Sequence, residues 1–399
     1  MTSQSYTYCI VGAGLAGASA AKAVREIDPG GSIVLIGEEA HPPYHRPPLS
    51  KDLWMGEKQE RDIFVNDVSW YEDNTIDLLL KTRVEAVDAS AGAVTTDSGK
   101  SIGYEKLLLA TGGRPGTIPV PGGDDESIFY FRTLEDYRKL SATIHKGQKA
   151  LVIGGGFIGS EMAAALHTQE LSVTMIFPEK HICGMIFPLD LARDIHREYE
   201  EKGIAIRAGD TPESIEHVDG SYRVRTNSGT QIECDIIVAG IGIMPRLELA
   251  ESAGIERDDG IIVNEYLQSS NPAIYAAGDN ASFPYAALGA RARFEHWDCA
   301  ASQGATAGKN MAGAQESYRY LPYFFSDLFD FGYEAVGLTS SRMSAVEDWE
   351  GDKKGAIYYR DDGRIRGVMT CNKFGKLDRA RTLIEQTGST KDEELKGYI

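Results

Sequence analysis

An α/β fold is predicted for this chain of 399 residues by three observations. Two glycine-rich strings of one kind, VGAGLAG at 11–17 and IGGGFIG at 153–159, stand 142 positions apart. Each follows an apolar run that reads as a strand and opens an alanine-rich run that reads as a helix. After each, the same order of events recurs: a helix, a strand (SIVLIG, then SVTMIF), and later a buried run ending in glycine (YEKLLLATGG, then CDIIVAGIG). The repeat is too long for a solenoid. It predicts two Rossmann-like dinucleotide-binding domains, followed by a small carboxy-terminal α+β domain.

In a fingerprint of this kind the first glycine (Gly12, Gly154) makes a tight turn. The second (Gly14, Gly156) lets the backbone approach a pyrophosphate, and the third (Gly17, Gly159) lets helix and strand pack closely. A chain that holds two dinucleotides is expected to pass electrons from one to the other. Glu38 ends the second strand 26 residues after Gly12, where a carboxylate accepts hydrogen bonds from an adenosine ribose; Glu39 is the alternative. In the second unit the corresponding acid is displaced, with Phe177 ending the strand and Glu179 following Pro178.

The remaining elements follow in order. Runs at 222–225 and 231–234, separated by the turn NSG, predict an antiparallel excursion inside the second unit. The stretch NPAIYAAGDNA at 271–281 reads as a buried strand that returns to the first unit and ends in a loop carrying Asp279. From about Pro322 the chain is aromatic, then alternates at 355–360 and 364–369 like antiparallel strands, and closes in a charged helical tail. The expected boundaries are 1–115 with 246–320, 116–245, and 321–399.

Composition narrows the function. A formal charge of −18 argues against nucleic acid or an anionic membrane surface as the main partner. No apolar run is long enough to span a bilayer, and the amino terminus MTSQSYTYCIVG enters its first strand at once. Cytoplasmic residence is expected. The five cysteines (Cys9, Cys183, Cys234, Cys299, Cys371) show no CxxC or CxxxxC spacing, so neither a metal site nor a redox disulfide is expected.

These motifs in this order resemble the two-dinucleotide-binding flavoproteins of the glutathione-reductase-like plan. YHRPPLSKDLW at 44–54 is close to the signature of the family of oxygenase-coupled ferredoxin reductases and apoptosis-inducing factor. FPEK at 177–180 and FFSDLFDFGYEAVG at 324–337 are similar to the apoptosis-inducing factor branch. The chain departs from the superfamily's disulfide reductases, since 38–60 holds no cysteine, and has Met185 where apoptosis-inducing factor has lysine.

The resemblance implies FAD in the first unit and NADH, in preference to NADPH, in the second. It implies that Arg46, Lys51, Val84, Thr111, Gly112, Arg132, Asp279, Glu295, His296 and Trp297 join Gly12, Gly14, Gly17 and Glu38 around the flavin nucleotide. It likewise implies that Phe157, Ile158, Glu179, Gly242 and Phe325 join Gly154, Gly156 and Gly159 around the nicotinamide nucleotide. Lys51 and Glu161 are the implied catalytic pair, with Glu161 expected on the first turn of the second-unit helix. The implied acceptor is a small iron–sulfur protein; quinones, oxygen or a small organic molecule, and a slow redox sensor, are the alternatives. A basic patch for an acidic carrier would have to draw on Arg291, Arg293, Lys373, Lys376, Arg379 and Arg381. A monomer or homodimer is expected.

Overall fold

The structure, a computed structural model, describes residues 4–285, 287, 289–386 and 390–399. The chain divides into two compact units. The first comprises the chain up to His45 with Glu60–Arg114 and Pro245–Pro322; the second comprises Arg46–Gln59, Pro115–Met244 and Tyr323–Ile399.

The first unit is built on a seven-stranded sheet. Gln4–Val11 lies parallel to Ile33–Ile36 on one side and to Ser101–Leu109 on the other, with Ile76–Leu79 beyond Ile33–Ile36. Burial on both faces explains why Ile33–Ile36 is an unbroken apolar run. The returning strand Ile274–Ala276 pairs parallel with Ser101–Leu109, as the sequence suggested. The helix Trp297–Met311 then packs on the fingerprint helix Leu15–Ile27. A Cβ on Gly304 or Gly308 would stand 2.2 Å from Ala16 O and 2.3 Å from Ala20 O respectively, so glycine on that face sets how close the helices come.

The second unit carries a parallel five-stranded sheet in the order Ala205–Ala208, Ser172–Phe177, Lys149–Ile153, Ile236–Ala239 and Phe129–Tyr130. The predicted antiparallel excursion is present, with Tyr222 opposite Cys234. Tyr323–Leu328, Phe331–Gly337, Arg364–Cys371, Lys354–Asp361 and Ser344–Gly351 form an antiparallel sheet in that order. This sheet, expected to stand apart as a third domain, clusters with the second fingerprint. The reason is visible in the helix Phe157–Thr168, which is buried continuously from Gly159 to Leu166. A helix buried on every side needs cover from more than one neighbour. The strand Tyr323–Leu328 supplies it, with Phe324 against Phe157 at 5.5 Å between rings. The tip residue Phe329 lies 6.0 Å from His167, 4.9 Å from Tyr199 and 4.6 Å from the Lys202 ammonium.

The segment 46–59, drawn from the sequence as part of the first domain, clusters with the second unit. Trp54 packs edge-on against Tyr137 at 5.0 Å and its carbonyl accepts from Gln169 Nε2 at 2.8 Å.

Candidate dinucleotide-binding sites

The two fingerprints repeat each other in the geometry of their outer glycines. Gly12 has φ +118° and Gly154 φ +122°, a region that favours glycine. A Cβ there would sit 2.1 Å from Ala110 O in the first case and 2.3 Å from Gly240 O in the second. A Cβ on Gly17 would meet Gly12 O at 2.0 Å, and one on Gly159 would meet Gly154 O at 2.1 Å. The polypeptide itself therefore explains the outer glycines. It does not explain the middle ones. Nothing lies within 4 Å of a Cβ on Gly14 or Gly156, and both have ordinary negative φ. Each caps a helix, Leu15–Ile27 or Phe157–Thr168, that has no side-chain cap and no acid in its first turn. Unpartnered amide donors at a helix start, with the side chain trimmed away, fit a phosphate group brought close to the backbone.

The strand ends can be aligned by hydrogen bonds. Gly12 N donates to Ile36 O at 2.8 Å and Gly154 N to Ile176 O at 2.9 Å, which makes Gly37 the counterpart of Phe177, Glu38 of Pro178 and Glu39 of Glu179. The bulk is exchanged across this contact. Ala13 faces Gly37 in one unit, while Phe177 faces Gly155 in the other.

Glu38 accepts from Arg246 Nη1 at 2.5 Å, with both side chains partly exposed. Glu39 is engaged by Tyr44 Oη at 2.5 Å. Arg246 was missed in the sequence. Its amide donates to Gly112 O at 2.9 Å and its carbonyl accepts from Thr111 Oγ1 at 3.3 Å, so it ties Glu38 to the ATG turn. Its one available signal was its place directly after the return crossing GIGIMP.

At the other end of the first unit, Asp279 O accepts from Arg293 Nη1 at 2.9 Å, and Arg293 also binds Asp259 and Glu295. Asn280 Nδ2 donates to Thr111 Oγ1 at 3.0 Å. Trp297 Nε1 donates to His45 Nδ1 at 2.9 Å, which leaves the His45 proton on Nε2. Val84 is buried on the strand Val84–Asp88. The His296 ring stacks on Phe294 at 5.3 Å, and desolvation lowers its imidazole to about 4. His296 is thus neutral at physiological pH. The unfolded chain takes up this proton near ~6.5 and the folded chain only near 4, so acidification across that window costs stability. Thermal unfolding of His296→Asn is expected to lose part of the acid dependence between those pH values.

In the second unit Lys51 Nζ lies 2.7 Å from Glu161 Oε1, with the two side chains 11% and 4% exposed. Ser50 Oγ donates to Glu161 Oε2 and Ser326 Oγ to Glu161 Oε1, each at 2.5 Å. Lys51 Nζ stands 5.3 Å from the centre of the Phe325 ring. The nearby Asp327 carboxyl is raised by desolvation, opposed by Lys51 and reinforced by Glu161. The expected helical position of Glu161 needs correction. The helix begins at Phe157, so Glu161 is its fifth residue and lies on the second turn, beyond the free amides. Arg46 Nη1 donates to Arg132 O at 2.8 Å, beside the capping box formed by Thr133 and Asp136. Gly242 has φ +90° with open space where a Cβ would stand. Ile158, at 37% exposure, is open on the helix start.

Glu179 is half-buried, and its backbone carbonyl accepts from Gly209 N at 2.9 Å, which fixes the loop after Phe177. A carboxylate there would repel a 2′-phosphate. Glu179→Ala is expected to narrow the preference for NADH over NADPH by about tenfold, read as the ratio of kcat/KM values.

Five of the six candidate patch cations are committed elsewhere. Arg291 donates to Val263 O and Ser282 O; Arg293 holds two acids; Lys373 pairs with Glu350; Arg381 pairs with Asp378; and Arg379 lies over Tyr398. Acids neutralise three of the six, Arg293, Lys373 and Arg381, which weakens the patch as a docking charge.

All five cysteines are free and buried. Burial pushes the Cys9, Cys183 and Cys234 thiols up to about 12, and those of Cys299 and Cys371 higher. Among the described residues no cluster of His, Cys, Asp and Glu could hold a metal ion, and no helix is long and apolar enough to cross a membrane. A thiol reagent at pH 8 is expected to leave the native protein unlabelled and to count five thiols after denaturation. The unfolded thiols ionise near ~8.5, so the stability they contribute is full below that pH and is lost as pH rises toward 12.

Residues 6–304 match the protein family described as pyridine nucleotide-disulphide oxidoreductase. The chain belongs to this family. It is 35% identical over 392 residues to the anthranilate 1,2-dioxygenase system ferredoxin–NAD(+) reductase component of Burkholderia cepacia, covering 97% of this chain and 96% of that one. Monodehydroascorbate reductase 3 of Arabidopsis thaliana is 33% identical over 429 residues, covering 98% of this chain and 97% of its own. Among solved structures, the covalent putidaredoxin reductase–putidaredoxin complex matches with a TM-score of 0.91 at 28% identity, covering 98% of this chain and 95% of that one. The fold of this family member is therefore that of an FAD- and NAD-binding reductase. The disulphide in the family's name has no counterpart in a chain whose cysteines are all free.

Proposed function

We propose that this protein is an NADH-dependent FAD oxidoreductase that passes electrons to a small iron–sulfur protein of the ferredoxin or rubredoxin kind. The observation that carries the reading is the pair of middle glycines, Gly14 and Gly156, whose missing side chains nothing in the polypeptide accounts for. FAD belongs with Gly12, Gly14, Gly17, Glu38, Thr111, Gly112 and Asp279. NADH belongs with Gly154, Gly156, Gly159 and Glu179. When bound, FAD takes the two electrons of the NADH hydride and releases them one at a time to an acceptor. The chain's own residues bind and orient. Helix starts hold the two pyrophosphates, Glu38 and Glu179 hold riboses, and the Lys51–Glu161 pair presents a fixed charge. Cytoplasmic residence, action as a monomer or homodimer, and non-covalent flavin complete the proposal.

The relative in Arabidopsis thaliana, named for a small organic acceptor, favours a second reading in which such a molecule or a quinone is reduced directly. One turnover assay separates the two. Purified protein with NADH is offered ferredoxins and rubredoxins in one arm, and quinones and small organic oxidants in the other. Faster turnover of an iron–sulfur carrier supports the first reading. Fast quinone reduction with every carrier idle supports the second, and slow turnover with all of them points to a redox sensor.

A further inference from the structure

The Glu161 carboxylate is held by three donors that come from two parts of the chain. Ser50 and Lys51 are neighbours in the segment 46–59, so by themselves they fix Glu161 only relative to that segment. Ser326 comes from the strand Tyr323–Leu328 and is anchored independently. It is 1% exposed, pairs across the ladder with Tyr333, and follows two residues after Phe324, which packs on Phe157 at the start of the helix carrying Glu161.

Ser326 and Lys51 share one oxygen, Oε1. A carboxylate turns easily about its last torsion, which is broad and two-fold. Without the Ser326 hydroxyl, Oε1 belongs to the ammonium alone, and the carboxylate is free to turn more fully onto Lys51. Charge compensation survives, since Lys51 and Ser50 remain. What is lost is orientation.

We infer that Ser326 is a positioning residue for the Lys51–Glu161 pair, holding the Glu161 carboxylate in one rotation so that the lysine charge is only partly neutralised. The inference rests on the reading that NADH at the second fingerprint reduces FAD. A hydroxyl from the carboxy-terminal sheet thereby takes part in the nucleotide site.

The test uses the FAD-loaded full chain as wild type, Ser326→Ala and Ser326→Thr, the last restoring a hydroxyl on a β-branched residue that suits a strand. Each is mixed anaerobically with NADH, giving a limiting rate of flavin reduction and a half-saturating NADH concentration, and the flavin midpoint potential is measured separately. Ser326→Ala is expected to lower the limiting rate by about tenfold with half-saturation changed by less than about twofold. Its midpoint potential should fall, because on the functional reading the Lys51 charge favours the reduced flavin and fuller neutralisation weakens that effect. Ser326→Thr should recover most of the rate. Wild-type rate and potential in Ser326→Ala overturn the inference while leaving the functional reading intact. A wild-type protein that NADH does not reduce overturns the functional reading, and the inference with it. If Ser326→Ala loses its flavin, Ser326→Thr decides: wild-type reduction supports the role, and a tenfold loss with the hydroxyl present overturns it.

Discussion

Alanine at Gly12 and alanine at Gly14 are expected to fail in different ways, although each adds one carbon and they stand two residues apart. At Gly12 the added carbon falls 2.1 Å from a backbone carbonyl, on a residue with φ +118°. Relief requires moving the strand Ser101–Leu109 or the turn itself. The sum of backbone strain and overpacking is roughly 2–6 kcal/mol, enough to leave little folded protein. At Gly14 the same carbon meets no protein atom within 4 Å and φ is −98°. Unfolding of the flavin-free protein should then shift by no more than about 0.5 kcal/mol. FAD affinity should nevertheless fall by about 10–100-fold, because the carbon occupies the approach to the pyrophosphate. The second fingerprint supplies the control. Gly156→Ala should stay yellow and lose reduction by NADH, whereas Gly154→Ala should fold poorly. Full FAD retention by Gly14→Ala would contradict the assignment of the first site.

Replacing Lys51 with methionine is expected to destabilise the protein by about 3–5 kcal/mol, because it leaves the buried Glu161 carboxylate without its counter-charge. Ser50 and Ser326 would still donate, but two hydroxyls do not replace an ammonium at 2.7 Å. Lys51→Met combined with Glu161→Leu removes both charges and should be less destabilised than Lys51→Met alone. Urea unfolding of wild type, both single variants and the double variant closes the cycle. All three variants should reduce flavin slowly. A Lys51→Met protein of wild-type stability would mean that the pair is solvated in solution.

Much of this organisation was legible in the sequence because its physical causes are local. A turn at positive φ and a close helix–strand approach demand glycine at fixed spacing, so both fingerprints could be read residue by residue. The buried returning strand at 274–276 was readable from an unbroken apolar run. Arg246 was not readable, since it meets Glu38 across 208 positions and only the return of the chain brings them together. Ser326 was hidden for the same reason, a serine 165 positions from the carboxylate it holds. Glu161 falls one turn deeper than its spacing from the third glycine suggests, because its helix starts at Phe157, ahead of Gly159. The allegiance of 46–59 was decided by Trp54 against Tyr137, a tertiary contact that leaves no periodic trace.

The antiparallel sheet after Pro322 also limits how this chain could be cut or recombined. Ser341 N donates to Met185 O and Tyr359 Oη to Ile186 O, both at 2.9 Å, while Phe187 meets Phe331 and Tyr333 edge-on. The loop following Glu179 is thus stitched to residues more than 140 positions further on. A fragment ending at Pro322 would keep both fingerprints in its sequence yet would be born with one nucleotide half unroofed, its central helix wet and its loop untethered. Grafting a foreign tail to change partner would carry the same penalty. The last 77 residues are therefore a keystone rather than an accessory of the second unit.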